Sequence, residues 1–465
     1  MVNYNLVIKK NNLNKVFFLL LLTTILACKT VKKSTTTTSS TNQMQLVDKK
    51  ATYSNATTNS YTTNTLLKDS NLLNAHIGIC IYEPLTKQYL YKYQSDKYFV
   101  PASNVKIATC YAAMKYLGDS LVGLQYFEND TALYIQGTGD PSFLHKDFKN
   151  QHIFEWLISK KNKKIILCNN NFSEDPLGKG WAWDDFEETY MAERSEMPLY
   201  GNTVDFYYNR GYKSSPPYFE KYIKKNFEKQ YEKQNFKVNR ELGKNLFSIA
   251  KSNKNKNDIT FNTKEIPNIF ASLLSDTLHT TVNEGNSNLT NLKKYSQPTD
   301  SVLKKMMYES DNFIAEQSLL MVSNQMLGVM KDEKIIDTLL KTDLINIPQK
   351  PKWVDGCGLS RYNLFSPEAI VFILNKMKDE FSWQRITTIF PTANQGTLKG
   401  FYKKYQNKIY AKTGTLSNNT ALSGFVTTKK GKQLVFSVIL NNYLTSNTNA
   451  KTAIENYLSS IIENY

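Results

Sequence analysis

The chain has 465 residues, 41% of them hydrophobic, with 58 lysines and arginines against 41 acidic residues and a formal net charge of +17. That length predicts about three domains' worth of material and an ample core. The four histidines lack metal-type spacing and none of the five cysteines forms a Cys-x-x-Cys pair, which excludes a zinc hydrolase and leaves no call for a metal or other cofactor.

The N-terminus carries Lys9, Lys10 and Lys15, then an apolar run from Val16 to Ala27, then Cys28. The run is too short to cross a bilayer and reads as an export signal over 1–28. Ile25-Leu26-Ala27-Cys28 is similar to a lipobox, which makes Cys28 the expected lipid attachment point and the membrane an expected partner. Residues 29–64 are rich in Lys, Ser, Thr and Asn, and read as a flexible tether reaching about 30–35 Å.

Next, Ile77, Ile79 and Ile81 alternate as a strand, Pro84–Lys87 forms a turn, and Tyr89 to Tyr93 returns. A helical run of Val105, Ile107, Ala108, Tyr111, Ala112 and Leu117 starts at Ser103 and stops at Gly118, with Ser103 in an N-cap position. Lys106, three residues on, lies over the same face as Ser103. A lysine becomes a usable base when burial and nearby cations lower its pKa from about 10 toward neutrality; Lys412 is a candidate for such a cation.

Residues 122–292 read as an inserted, mostly β region that begins with Ala132–Gln136 and holds a polar, nested segment at about 206–267. Within it, Lys221–Arg240 interleaves lysines with Tyr222, Phe227, Tyr231 and Phe236, a pattern able to stack bases and hold phosphates. An exported protein rarely meets nucleic acid, so a solvated surface attracted to anionic envelope polymers or headgroups is the expectation. Gly137–Pro141 lacks the Lys-Ser/Thr of a phosphate loop and reads as a tight turn.

Ser310-Asp311-Asn312 precedes the helical pattern of Phe313, Ile314, Ala315, Leu319 and Leu320, so its hydroxyl and amide project from a loop–helix corner. Lys412-Thr413-Gly414-Thr415 is followed by Leu422, Phe425 and Val426, a turn at 429–432, and a β-like run from Leu434 to Leu440. That predicts a hairpin with Lys-Thr-Gly on or just before an edge strand, where glycine lets a substrate backbone come close. Ile454, Leu458, Ile461 and Ile462 mark a C-terminal helix.

Each motif alone is weak: Ser-x-x-Lys recurs at Ser248–Lys251 and Ser301–Lys304, and Ser-x-Asn at Ser40–Asn42 and Ser417–Asn419. In the order Ser103–Lys106, Ser310–Asn312, Lys412–Gly414 they form the signature of serine acyl-transferases that attack D-alanyl-D-alanine or β-lactam carbonyls. With Gly137-Thr138-Gly139-Asp140-Pro141, Gly180-Trp181-Ala182-Trp183-Asp184-Asp185, Asp355-Gly356-Cys357-Gly358-Leu359-Ser360-Arg361 and Gly396-Thr397-Leu398, the chain from about Leu66 onward resembles the DacB-type D-Ala-D-Ala carboxypeptidase/endopeptidases, the class C low-molecular-mass penicillin-binding proteins. Cys357 departs from the serine usual in that turn.

The resemblance implies an α+β fold: a penicillin-binding/β-lactamase-like transpeptidase domain from 65–121 and 293–465, an antiparallel sheet flanked by helices, with the 122–292 region inserted. It implies peptidoglycan peptides as substrates, β-lactams as inhibitors and the cell envelope as the location. Ser103 is then the nucleophile, Lys106 its base, and Ser310 the proton relay. Asn312 holds the substrate amide, Lys412, Thr413 and Thr415 the terminal carboxylate, and Gly414 the close approach. Asp185, Tyr190, Arg361 and Ser417 fall where the family binds a diaminopimelate side chain. A β-lactamase shares the three motifs but has a Glu-x-x-Leu-Asn deacylation motif that is absent after Ser310; a non-catalytic wall-binding protein is the other alternative.

Overall fold

The structure is a computed structural model that describes residues 64–224, 236–253, 255–286 and 292–465. The export signal, Cys28, the tether up to residue 63, and Phe227 and Tyr231 of the basic stretch lie outside the described residues. Among the described residues no helix is long and apolar enough to cross a membrane.

A five-stranded antiparallel sheet carries the first layer, in the order 409–416, 419–427, 433–441, 76–83, 88–93. Strand alternation sorts its two faces. Ile77, Ile79 and Ile81 pack with Leu422, Phe436 and Val438 against Tyr457, Leu458, Ile461 and Ile462 of the Asn447–Asn464 helix. Cys80 and Val435 face the opposite way, into a helical layer that includes Val105–Tyr116, Asn312–Leu327 and Pro367–Glu380. Gly78 lies on that second face, where a Cβ would come within 2.5 Å of the Phe99 ring and 2.8 Å of Pro367. The sheet is therefore a slab between one helix and a bundle, as the alternation and the C-terminal helical spacing predict.

A second, mixed sheet runs in the order 282–285, 164–168, 132–137, 120–128, 292–298. The 164–168 strand is parallel to both its neighbours, and the other pairings are antiparallel. The chain enters and leaves this region side by side, since Ser120–Glu128 pairs with Leu292–Pro298 and Thr299 N donates to Asp119 O at 2.9 Å. Two helices, His152–Ser159 and Ile269–Leu278, cover the sheet through Ile153, Leu157, Leu273, Leu274 and Leu278. Their apolar spacing of three to four residues is helical rather than β, and they accompany the strands of a region that is mostly β, as expected. A three-stranded sheet (258–260, 203–208, 212–215) and a hairpin (236–240, 247–251) bury Phe206, Phe219, Phe247 and Phe261 in the same cluster as Leu124 and Leu167.

Candidate active site

Ser103 lies in a single 3-10 turn, Ala102–Asn104, directly ahead of the Val105–Tyr116 helix. The N-cap position expected for Ser103 is taken instead by Asn104, whose side chain caps nothing. The extra turn moves the serine off the helix end, and its hydroxyl faces Lys106 instead of a backbone N–H. Asn104 Nδ2 donates to Lys412 O at 2.9 Å, tying the helix start to the edge strand Ile409–Leu416. Two glycines allow this closure. A Cβ on Gly414 would lie 2.7 Å from Pro101 O and 3.1 Å from Ser103 N. Gly358, at φ +88°, leaves no room for one at all, since it would fall 2.0 Å from Ala102 O.

Lys106 is 0% exposed, and its ammonium position is defined by three acceptors. Nζ donates to Ser103 Oγ at 3.1 Å, Asn312 Oδ1 at 2.6 Å and the Cys357 carbonyl at 2.7 Å. Burial pushes its pKa below the usual lysine range, while Cys357, Asp355, Asp311 and Glu316 pull the other way. A lysine so placed is within reach of the serine proton and short of the solvent that would hold it charged.

The second motif turns a corner between two helices. Ser310, at φ +60°, ends the Thr299–Glu309 helix, and Asp311 caps the Asn312–Leu327 helix by accepting Ile314 N at 2.8 Å. The cap consumes Asp311 and leaves Ser310 and Asn312 aimed at the site. Lys412, also 0% exposed, donates to Ser310 Oγ at 2.8 Å and to Thr413 O at 2.7 Å. Burial lowers its pKa well below the lysine range, and Lys106 and Lys451 add to the effect. Ser103, Lys106 and Asn312 thus form one hydrogen-bonded set and Ser310 and Lys412 a second close by, drawn from three separate stretches of chain. Thr413 Oγ1 is 2.8 Å from Thr397 Oγ1, while Thr415 lies half-buried on the same edge strand.

The remaining candidates line the approach. Asn312 Nδ2 donates to the Tyr190 carbonyl at 3.0 Å, and burial, followed by the Asp185 carboxylate beside it, raises the Tyr190 phenol. Exposed Arg361 donates from Nη2 to the Ser417 carbonyl at 3.2 Å. Ser417 is therefore engaged through its backbone, with its hydroxyl exposed.

Several residues escaped the sequence reading. Asp355 organises the turn before Arg361, accepting Gly358 N (2.7 Å) and Asn363 Nδ2 (2.8 Å) on one oxygen and Ser360 N (2.7 Å) and Trp181 Nε1 (3.0 Å) on the other. Cys357 contributes a carbonyl, which no side-chain motif reveals. Asn104 and Thr397 sat inside motifs noticed for their neighbours. Glu316 was hidden in an apolar helical pattern. The Gly137–Pro141 turn joins the two regions, because Gln317 Nε2 donates to Gly139 O at 2.9 Å and Ser195 O at 2.8 Å.

Residues 61–464 match the model of the D-Ala-D-Ala carboxypeptidase 3 (S13) family. The chain is 29% identical over 173 residues to the D-alanyl-D-alanine carboxypeptidase DacB of Haemophilus influenzae and 28% identical over 172 residues to the carboxypeptidase DacB of Mycolicibacterium smegmatis. Each alignment covers 34% of this chain and only 35% and 36%, respectively, of those proteins' lengths. Its fold is that of penicillin binding protein 4 (dacB) from H. influenzae, with a TM-score of 0.67 and 20% identity over 86% of this chain and 99% of that one. The same protein complexed with a β-lactam aligns with a TM-score of 0.62 and 18% identity, over 86% and 98% of the two chains.

Proposed function

Because the chain belongs to the D-Ala-D-Ala carboxypeptidase 3 (S13) family, we propose that it is a serine carboxypeptidase and endopeptidase of peptidoglycan. It cleaves D-alanyl bonds of stem peptides and cross-links through an acyl-enzyme, and β-lactams acylate it. The observation that carries this reading is Lys106 Nζ, which bonds Ser103 Oγ and Asn312 Oδ1 at once while Lys412 bonds Ser310 Oγ.

With Lys106 neutral, Ser103 Oγ–H points its proton at Nζ. Oγ attacks the penultimate D-alanine carbonyl as Nζ takes that proton. The backbone N–H groups of Ser103 and Thr415 receive the oxyanion; losing one such donor typically costs about 3–4 kcal/mol. The C–N bond then breaks, and the leaving amine takes a proton through Ser310. Asn312 holds the substrate amide, while Lys412, Thr413 and Thr415 hold the terminal carboxylate. Gly414 lets the peptide backbone lie close against the edge strand. Water attacks the ester, and Ser103 leaves with its proton restored.

Asp185 and Arg361 offer opposite charges to the zwitterionic end of a diaminopimelate side chain, with Tyr190 and Ser417 beside them. The catalytic domain comprises 65–121 and 293–465, and 122–292 is an inserted domain with a nested part at about 206–267. A hydrophobic cluster drawn from Leu124 to Val282 supports that division. The enzyme works in the cell envelope, facing the periplasm and held to a membrane by lipid on Cys28.

Digestion of purified muropeptides followed by mass spectrometry tests the reading. Loss of a terminal D-alanine marks the carboxypeptidase, and monomers released from cross-linked dimers mark the endopeptidase. Muropeptides left unchanged by the wild-type enzyme would overturn it. A penicilloyl-enzyme that hydrolyses in milliseconds rather than hours would identify a β-lactamase instead.

A further inference from the structure

Behind Lys106 lies a buried group that the acyl-transfer scheme does not use. Glu316 sits one turn beyond Asn312 on the same helix. Its carboxylate, that of Asp355 and Cys357 Sγ lie within 4.8 Å of one another, all three buried. The spacing would suit a cation, but both Asp355 oxygens are already taken by the four N–H donors of its turn, and two cationic side chains flank the group.

The two carboxyl groups differ in what surrounds them. Glu316 Oε2 receives Arg194 Nη1 at 3.2 Å, whereas Oε1 is buried with no hydrogen-bond partner. Its nearest resource is the Cys357 thiol, a weak donor. Arg194 is shared, since it also meets Asp332 at 2.7 Å and Glu174 at 3.6 Å. One guanidinium therefore serves three acids, and it meets only one oxygen of Glu316. Burial, then the Asp355 charge, push Glu316 up to about 7, against the opposing pull of Arg194 and the thiol. Burial raises the Cys357 thiol as well.

We propose that Glu316 is a positioning residue for Lys106: held as a neutral acid against the Cys357 thiol, it limits the negative charge behind the amine to Asp355 and so lets Lys106 serve as the base. The inference rests on the reading of Lys106 as base given above. Lys106 and Glu316 share one proton. With that proton on Glu316, Lys106 is an amine able to take the serine proton; with it on Lys106, Glu316 is a second carboxylate and the base is lost. The other charges that bear on the pair are Arg194 and Asp332 around Glu316, Asp311 at the helix cap, and Lys412 across the cleft. Only Glu316 among them combines full burial with an unpartnered oxygen beside the carbonyl that holds Lys106.

The rate of acylation by a chromogenic β-lactam, followed against pH, reads this directly. Glutamine mimics the neutral acid at every pH, so Glu316→Gln should leave the midpoint of the acid limb close to that of the wild type. Cys357→Ser supplies a stronger donor to Oε1, favours the carboxylate, and should move the midpoint up by about half a pH unit, or about threefold slower acylation relative to plateau below it. An unmoved midpoint in the first variant with a raised one in the second supports the inference. A midpoint that moves by about half a pH unit or more in Glu316→Gln, as a charged Glu316 in the wild type would require, or one that stays or falls in Cys357→Ser, overturns it, whatever happens to the plateau rate. If Glu316→Gln fails to fold, Cys357→Ser decides by the same criterion. A wild-type enzyme that no β-lactam acylates at any pH would instead remove the serine mechanism itself.

Discussion

Ser310 Oγ and Lys412 Nζ meet across the cleft at 2.8 Å, joining a helix corner to the edge strand. The contact holds a lysine where no water reaches it and no carboxylate pairs with it among the groups that shift its pKa. An ammonium kept there would weaken the fold.

Lys412 therefore predicts a pH dependence of stability. Its folded pKa lies well below the unfolded value of about 10.4. Between the two, the unfolded chain binds more protons, so stability rises with pH; the contribution is complete above the unfolded pKa and lost as pH falls through the folded one. Lys106, shifted in the same direction, adds to the slope. Urea unfolding of the wild type should strengthen as pH rises toward the unfolded lysine pKa of about 10.4, by up to about 1.4 kcal/mol per pH unit from each lysine. Lys412→Met should lose one lysine's share of the slope. An identical slope in the mutant would show that Lys412 is charged and paired in the folded state.

Ser103→Ala should abolish labelling by fluorescent penicillin while leaving thermal unfolding near that of the wild type. The hydroxyl caps no helix and accepts a bond from Lys106, so its loss removes the proposed nucleophile and little of the structure. Ser248, on the Phe247–Lys251 strand, and Ser301, within the Thr299–Glu309 helix, belong to other elements, and their alanine variants should label normally. Labelling that survives in Ser103→Ala, or disappears in Ser248→Ala, would refute the assignment.

Asp355→Asn should destabilise the protein by about 2–3 kcal/mol, since an amide N–H₂ would face donors that now point at a carboxylate oxygen. The Gly358, Ser360, Asn363 and Trp181 bonds all converge there, and Gly358 abuts the turn that carries Ser103. Calorimetry should show the loss, and acylation should slow with it. A variant as stable as wild type would mean the turn is held by packing alone.

The parts of the site legible in the sequence are those where chemistry and local spacing coincide. Ser103 and Lys106 are three apart at a helix start, and alternation from Leu434 to Leu440 placed Lys-Thr-Gly at a sheet edge. The fold of the first sheet followed from the same periodicities. The 3-10 turn at Ser103 was not legible, because it depends on Gly358 and Gly414 closing from distant chain. Nor were the contacts made by backbone, such as the Cys357 carbonyl to Lys106, or by a charged residue in an apolar helix, such as Glu316. Those are set by tertiary packing, which a window of neighbouring residues does not contain.

Recognition of the peptide side chain is the sharpest expectation. Asp185 is half-buried beside Tyr190, whose own carbonyl holds Asn312, so the acidic wall of the approach is attached to the reacting cluster. Arg361 stands opposite in charge, braced at 3.2 Å by the Ser417 carbonyl with the rest of its guanidinium fork exposed. A carboxylate suits an ammonium, and a fork suits a carboxylate. Asp185→Ala and Arg361→Ala should each lower kcat/KM for diaminopimelate-containing peptides about 10- to 100-fold, as loss of roughly 1.5–3 kcal/mol would. Simple acyl-D-Ala-D-Ala substrates and penicillin labelling should change little, because the bonds of Ser103, Lys106 and Lys412 run to other residues. Equal losses on both substrate types would show that these side chains support the cleft as a whole rather than read the peptide.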